Sequence, residues 1–485
     1  MKIYKLIKYS LFSLFALTAV NSCGDDFLDR KPLGVATDGE LNVGGAETKI
    51  FGLYSQLRTE GGVSDWTRYW FQSIRSDDAM KGSIPADAAA MGNVMDHFQY
   101  SATEGIPASN WNGHYSLIYA CNDVIDEISQ NTNPDAATLS NLGEAKALRA
   151  WAYFDLRRDY GEVPLVLNKI SNPQDAIKAK STIAEVDAQI KQDLSEAVEH
   201  LPESWTQVGR ITKGMANSYL AKLALYQKNW AEALSKSEAV INSGKYSLYP
   251  SYANLFTSAG DNGSESIFEV QLARINKTNY SNNYWESQGV RGSGTWDLGW
   301  GFNVPTQNLV DAYEADDPRK AATILFSGQN DGFGNIVPES PPLAQPYWNK
   351  KAYSDPARRA TEGESKNHWT NIKLMRYADV LLMAAEAANE LGQSAKALQY
   401  LNMVRARVAM PAVVAVGQAD IRNAIKHERR VEFAMEGERF YDLVRWGDAE
   451  TVLGSLGYQT RNQHYPIPQG AIDQSGGVLK QNPNY

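Results

Sequence analysis

Two stretches of the 485-residue chain gather flat side chains among residues that break regular structure. The first, "TEGGVSDWTRYWFQSIRSDDAMKGSIP" (59–85), carries Trp66, Tyr69, Trp70 and Phe71. The second, "NNYWESQGVRGSGTWDLGWGFNVPTQ" (282–307), carries Tyr284, Trp285, Trp296, Trp300 and Phe302, with Tyr280 just ahead of it. Aromatic rings set beside amides, acids and guanidiniums suit a sugar. A pyranose shows an apolar C–H face and a polar rim, so it needs a ring to lie on and donors and acceptors around it. Asn282, Asn283, Arg75, Asp77, Arg291 and Asp297 supply such groups. The candidate contacts are therefore Trp66, Tyr69, Trp70, Arg75, Asp77, Asn283, Tyr284, Trp285, Trp296 and Trp300, with the five tryptophans foremost. The competing reading is that these rings only plug irregular chain onto a scaffold. Glycines 289, 292, 294, 299 and 301 favour ligand contact, because a loop that open has no use for indoles unless something lies on them.

Other chemistry lacks its residues. There is no G-x-x-x-x-G-K-[ST] loop, no G-x-G-x-x-G after a strand, no H-E-x-x-H, no EF-hand loop and no G-x-S-x-G. The six histidines (97, 114, 200, 368, 427 and 464) form no close pair, so no metal is expected. Asp77-Asp78 is the obvious acid pair for glycoside hydrolysis, but adjacent acids in a loop are more often solvated or capping a helix. No catalytic residue and no cofactor is predicted.

A different concentration of charge lies in "ERRVEFAMEGERFYDLVRWG" (428–447), where nine of twenty side chains are ionic. On a helix, Ile421, Ala424, Ile425, Glu428, Val431, Glu432 and Met435 share one broad stripe, which aims two carboxylates at the core. Buried carboxylates need partners, and Arg429, Arg430, Arg439 and Arg445 are the nearby supply. Gly437 is expected to break the helix, and Phe440, Leu443, Val444 and Trp446 to face inward beyond it. Glu428, Arg429, Arg430, Glu432, Glu436, Arg439, Arg445 and Trp446 are thus read as a structural brace.

These groups need a frame, and the frame is helical. "STIAEVDAQIKQDLSEAVEHLP" repeats apolar residues at helical spacing, with Thr182 and Glu185 placed as a capping box and Pro202 as the stop. "LALYQKNWAEAL" (223–234) and "AANELGQSAKAL" (387–398) share an ending after a short turn, in the manner of tetratricopeptide-type hairpins. Between about Lys245 and Trp369 the periodicity fades, and Gly, Pro, Asn and aromatics take over. The predicted fold is mainly α: one domain over 41–485, with a helical scaffold at approximately 41–244 and 370–485 and a loop-rich insertion at 245–369.

The start of the chain is an export signal. Lysines 2, 5 and 8 precede an apolar run from Leu11 to Val20, too short to span a bilayer, and small residues lead to Cys23. This is similar to a bacterial lipoprotein signal, with residues 1–22 removed, Cys23 acylated and 23–40 a tether. Removal takes three lysines and no acids, which moves the formal net charge from −9 to −12. Such a surface argues against nucleic acid or anionic lipid as partner. Cys121, the other cysteine, reads as a small buried hydrophobe.

The charged block resembles the hallmark of the SusD-like (RagB/SusD) family. "EAKALRAWAYFDLRRDYGEVPLV" (144–166), "NVPTQNLVDAYEADDPRKAATIL" (303–325), "KLMRYADVLLMAAEAANELG" (373–392) and "HYPIPQGAIDQSGGVLKQNPNY" (464–485) each resemble family blocks in the family's order, and "FLDRKP" after Cys23 fits as well. Ala471 and the final Asn484-Tyr485 depart from the usual tail, away from the candidate site. The resemblance implies a tetratricopeptide-like scaffold and a non-catalytic lipoprotein of the outer membrane, facing the exterior. It implies capture of an oligosaccharide, or in some members a peptide, for a SusC-like TonB-dependent transporter. A glycoside hydrolase and a plain helical adaptor are the remaining readings.

Overall fold

The computed structural model describes residues 46–485. The export signal, Cys23 and the whole tether therefore lie outside the described residues. The helices that shape the molecule are α1 (Ala46–Leu57), α2 (Thr67–Gln72), α3 (Gly105–Ser129), α4 (Ala136–Tyr160), α5 (Ile183–His200), α6 (Lys213–Tyr226), α7 (Trp230–Asn242), α8 (Pro318–Thr323), α9 (Tyr377–Glu390), α10 (Ser394–Arg407), α11 (Gln418–Glu432) and α12 (Arg439–Trp446). The fold is mainly α.

Local chemistry explains where these helices start and stop. At α5 the Glu185 N–H donates to Thr182 Oγ1 while the Thr182 N–H donates to the Glu185 carboxylate, satisfying two of the donors a helix start leaves open. Val186, Ile190, Leu194 and Ala197 form its buried stripe, and Leu201 ends it ahead of Pro202. The two sequence repeats are one structure used twice. In the first, the Asn229 N–H donates to Ala224 O at 2.8 Å and Lys228 is left-handed (φ 55°). In the second, the Gln393 N–H donates to Ala388 O at 2.8 Å and Gly392 is left-handed (φ 74°). Each links two helices by a three-residue turn, α6 to α7 and α9 to α10, and α7 packs directly on α9, so the two hairpins stack.

Packing runs in series from α3 to α4, α5, α6 and α7, then to α9 and on to α10 and α11. Buried alanines, among them Ala145, Ala147, Ala152, Ala384, Ala385 and Ala388, let the backbones approach. α4 is the axis. Every residue from Gly143 to Tyr160 except Lys146 and Arg157 is buried on it. Its interior charges are matched, with Arg149 on Asp193 at 2.7 Å and Asp155 on both Arg68 and Arg158 at 2.8 and 2.6 Å.

Among the described residues, eight short strands pair as four antiparallel ladders: β1 (Ala79–Gly82) with β5 (Phe302–Pro305), β2 (Ser266–Val270) with β8 (Ile372–Arg376), β3 (Ala273–Ile275) with β4 (Thr278–Tyr280), and β6 (Ile324–Phe326) with β7 (Tyr347–Asn349). The first ladder joins the two irregular stretches, with Met80 opposite Val304 and Gly82 opposite Phe302. The second ladder fastens the 245–369 segment to the strand that leads into α9.

The charged block folds inward, and its two buried glutamates pair with arginines outside it. Glu428 meets Arg319 and Arg405, and Glu432 meets Arg319, Arg376 and Arg407 at 3.1, 3.0 and 2.5 Å. The expected suppliers turn elsewhere. Arg429 binds Asp379 and Asp442, Arg445 binds Glu386 and Asp442, and Arg430 and Arg439 reach Asp77. Arg430 stands two positions from both Glu428 and Glu432 and so does not face them, while Arg439 and Arg445 lie on α12. Glu436 takes Arg376 and Lys351, and the Trp446 indole N–H donates to Glu386. Burial pushes the Glu432 carboxyl up, but Arg407, Arg376 and Arg319 outweigh it and hold it well below the usual carboxylate range. α11 also ends at Glu432, five residues before Gly437. There Phe433 turns beneath the guanidiniums of Arg376 and Arg429, and Met435 takes a left-handed φ of 65°.

Candidate ligand-binding site

Trp66 sits at the N-terminus of α2, and Trp300 lies two residues before β5. The β1–β5 ladder and three further ties bring them together. Asn282 Nδ2 donates to Ser64 O at 3.1 Å, the Asn283 N–H donates to Asp65 Oδ1 at 2.8 Å, and Ser83 Oγ donates to Trp300 O at 2.6 Å. The two indoles meet edge to face, with ring centroids 6.5 Å apart and planes at 61°, and both stay part-exposed. Candidates drawn from distant parts of the sequence thus form one ledge.

Polar groups surround it. Arg291 is held by Asp87 at 2.6 Å and keeps over a third of its side chain exposed. Asn283 extends its amide to Glu60 at 3.2 Å, and Asp297 lies 3.5 Å from Lys366. Asp65 is raised by burial, against the pull of backbone donors from Gly61, Trp66 and Asn283, and so serves to position the Asn283 backbone. The carboxylates of Glu60, Asp87 and Asp297 each face a donor. This arrangement can grip a neutral, hydroxyl-rich molecule by ring faces and side-chain amides.

Trp296 belongs to a second aromatic group. Its ring lies nearly parallel to Tyr353, with centroids 6.2 Å apart and planes at 25°, and the Phe333 ring stands 6.1 Å from Tyr353. Phe333 is 48% exposed. Beside these rings opens a cavity of about 200 Å³, walled also by Asp331, Lys350 and Trp369. Phe333 and Tyr353 escaped the sequence reading. The cue was present in Asp331-Gly332-Phe333-Gly334, a phenylalanine held out between two glycines.

Six of the predicted contacts lie in the interior instead. Tyr69 and Trp70 are 1% exposed, and Trp70 packs on Phe302 at 5.3 Å. Tyr284 stands against both Tyr69 and Trp285, and the Trp285 indole N–H donates to Thr370 O at 2.7 Å. Arg75 is fully buried, bonded to Phe71 O and Asp159 and sandwiched between the rings of Phe440 and Tyr465 at 3.8 and 4.2 Å. Asp77 is clamped by Arg439 and Arg430, and these outweigh burial to hold its carboxyl below the usual range, while the more buried Asp78 is raised. Their polar atoms are already taken by the protein, or they have no surface to offer. Asp77-Asp78 is neither solvated nor paired for hydrolysis; it is the anchor of Arg430 and Arg439.

The glycines also read differently in three dimensions. A side chain on Gly289 would place Cβ 2.2 Å from Leu298 O, and on Gly299 2.0 Å from Glu286 O. Gly292 and Gly301 are similarly closed, at 2.6 Å from Trp296 O and from Arg291 Cβ, and Gly294 alone of the five faces open space. The loop is folded tightly upon itself, which fixes the indoles it carries.

Comparison with known proteins agrees with this architecture. Residues 264–464 match the SusD family, and residues 26–225 match a family described as starch-binding associating with outer membrane. A SusD-like protein of Formosa agariphila is 25% identical over 99% of this chain and 100% of its own length, and a second from the same organism is 27% identical over 96% of each. Among solved structures, a laminarin binding SusD-like protein superposes with a TM-score of 0.77 at 29% identity, covering 91% of this chain and 99% of the other. A surface glycan-binding protein A from Bacteroides thetaiotaomicron shares the fold at a TM-score of 0.76 and 23% identity, covering 91% and 99%. By sequence match over both halves and by fold, the chain belongs to the SusD-like family.

Proposed function

We propose that this protein is a non-catalytic glycan-binding protein of the outer membrane that captures oligosaccharide on the Trp66–Trp300 ledge and passes it to a SusC-like TonB-dependent transporter. One observation carries the reading: two part-exposed indoles from separate irregular stretches are held as a fixed edge-to-face pair, rimmed by Asn283 and Arg291. Sugar C–H faces stack on such surfaces while amide and guanidinium groups take the hydroxyls. Trp296, with Tyr353 and Phe333, extends the aromatic surface for a longer chain. Two comparisons support the ligand class and the location, the 29% identical laminarin binding relative and the family described by starch binding at the outer membrane. Acylation of Cys23 would provide the attachment. Among the described residues no helix is long and apolar enough to cross a membrane.

The test is calorimetry of the full chain in detergent against oligosaccharides and oligopeptides, repeated with Trp300→Ala and Trp296→Ala, with product analysis after long incubation. Sugar binding that these changes abolish, with the sugar recovered intact, supports the reading. Binding of peptides alone, or release of shorter sugars, overturns it.

A further inference from the structure

A larger groove lies elsewhere, along the N-terminal half of α3. It encloses about 580 Å³ between α3, the turn at 173–178 and the chain at 471–479, and shares no residue with the ledge. Trp111, Tyr115 and Tyr119 recur every fourth residue and so line one face of the helix. Their rings step along it at 4.9 and 6.1 Å, and rise from 5% and 6% to 37% exposure. The volume lies within the range that holds a small organic ligand.

Tyr115 and Ser475 use their hydroxyls within the protein, while other polar groups of the groove have no partner. Tyr115 spends its hydroxyl on Pro164 O at 2.8 Å. The side chains of Asn112, Ser116, Gln174 and Gln474 and the Tyr119 hydroxyl, by contrast, make no hydrogen bond among the described residues. Nor does the indole N–H of Trp111, although that residue is about nineteen-twentieths buried. The N–H itself stays open to solvent, so a ligand oxygen entering beside it can accept from it.

The lining also restricts the ligand. No aspartate or glutamate borders the groove, so it holds no counter-charge for a cationic ligand, and a single lysine, Lys178, is too little for a phosphate or sulfate chain. An acyl chain would leave the free amides unpaired, and an added β-strand would need a sheet edge, which the groove's elements do not contain. Stepped ring faces with amides and hydroxyls between them match a neutral sugar chain.

We infer that the α3 groove is a second, independent site for an uncharged oligosaccharide, with Tyr119 as its outer platform and the unpartnered Trp111 indole N–H as a donor to a sugar oxygen. The ligand class follows from the groove's own lining, so the inference stands apart from the ledge. The experiment is titration calorimetry of the full chain in detergent with laminarihexaose, maltohexaose and cellohexaose, on wild type, Trp300→Ala, Tyr119→Ala and the double variant. Tyr119 is part-exposed and makes no hydrogen bond among the described residues, and thermal unfolding of Tyr119→Ala and Tyr119→Phe separates loss of a binding ring from loss of packing. The expected result is residual sugar binding in Trp300→Ala that Tyr119→Ala weakens by about tenfold and Tyr119→Phe restores. Binding that vanishes wholly with Trp300→Ala and ignores Tyr119→Ala overturns the second site and leaves the ledge. Binding sensitive to Tyr119 alone leaves the groove and removes the ledge, while no binding by any of the three sugars, or displacement by an oligopeptide only, overturns the groove.

Discussion

Glu432 carries three guanidiniums with no exposed surface of its own. Removing its charge takes one carboxylate from each of Arg319, Arg376 and Arg407 in the interior, where breaking a buried pair costs about 3–5 kcal/mol. Glu432→Gln should lower stability by that amount at pH 7, measured by denaturant unfolding. The group's folded pKa lies below its unfolded value, so its contribution is complete above about pH 4.3 and is lost as pH falls through the folded value. The gap between wild type and Glu432→Gln should therefore be full at pH 7 and narrow below about pH 4; a gap that widens in acid would contradict this. Trp70→Ala and Trp300→Ala make a second contrast. The first empties a fully packed site and should cost about 3–5 kcal/mol of stability, whereas the second should leave the melting temperature nearly unchanged and remove sugar binding. The sequence disclosed that Glu428 and Glu432 face inward, because helical period is a local signal. It did not disclose their partners, since Arg319 is 113 residues from Glu432 in the chain. Arg75 was misread for the same reason, because Asp159 and the rings that enclose it lie far along the sequence.

The repeated hairpins were legible as short motifs because their turn is specified within six residues. The turn that allows Lys228 in the left-handed region in one copy has glycine at the matching place, Gly392, in the other. The ledge loop was less legible. Its glycines suggest openness by number, yet four of the five are placed where backbone meets backbone or side chain too closely for a Cβ. Glycine frequency alone does not separate these cases; the pairing partner does. Gly299→Ala should thus displace the turn against Glu286 O, cost about 1–3 kcal/mol and abolish sugar binding, with faster amide exchange across 285–301. Gly294→Ala meets open space and should preserve binding, with only the strain of its φ of 60°. Equal loss of binding from both changes would show that the loop's fold does not position the indoles.

At the scale of the molecule, the predicted division into scaffold and insertion is crossed by many bonds. The β2–β8 ladder, Arg319 with Glu428 and Glu432, and Lys351 with Glu436 join the 245–369 segment to the C-terminal helices. The chain should therefore unfold in one calorimetric transition, and cleavage within 245–369 should not release a stable helical core; two separated transitions would contradict this. Cys23 lies outside the described residues, and the proposal for it is direct. Cys23→Ser should move the protein from the membrane pellet to the soluble fraction without altering sugar affinity.

The β1–β5 ladder has a kinetic corollary. It joins the carriers of Trp66 and Trp300 by backbone hydrogen bonds, so the two rings are already at their working distance before any sugar arrives. A receptor built in advance has no slow rearrangement to complete after encounter. In stopped-flow tryptophan fluorescence, the observed rate should climb in a straight line with sugar concentration and reach no plateau.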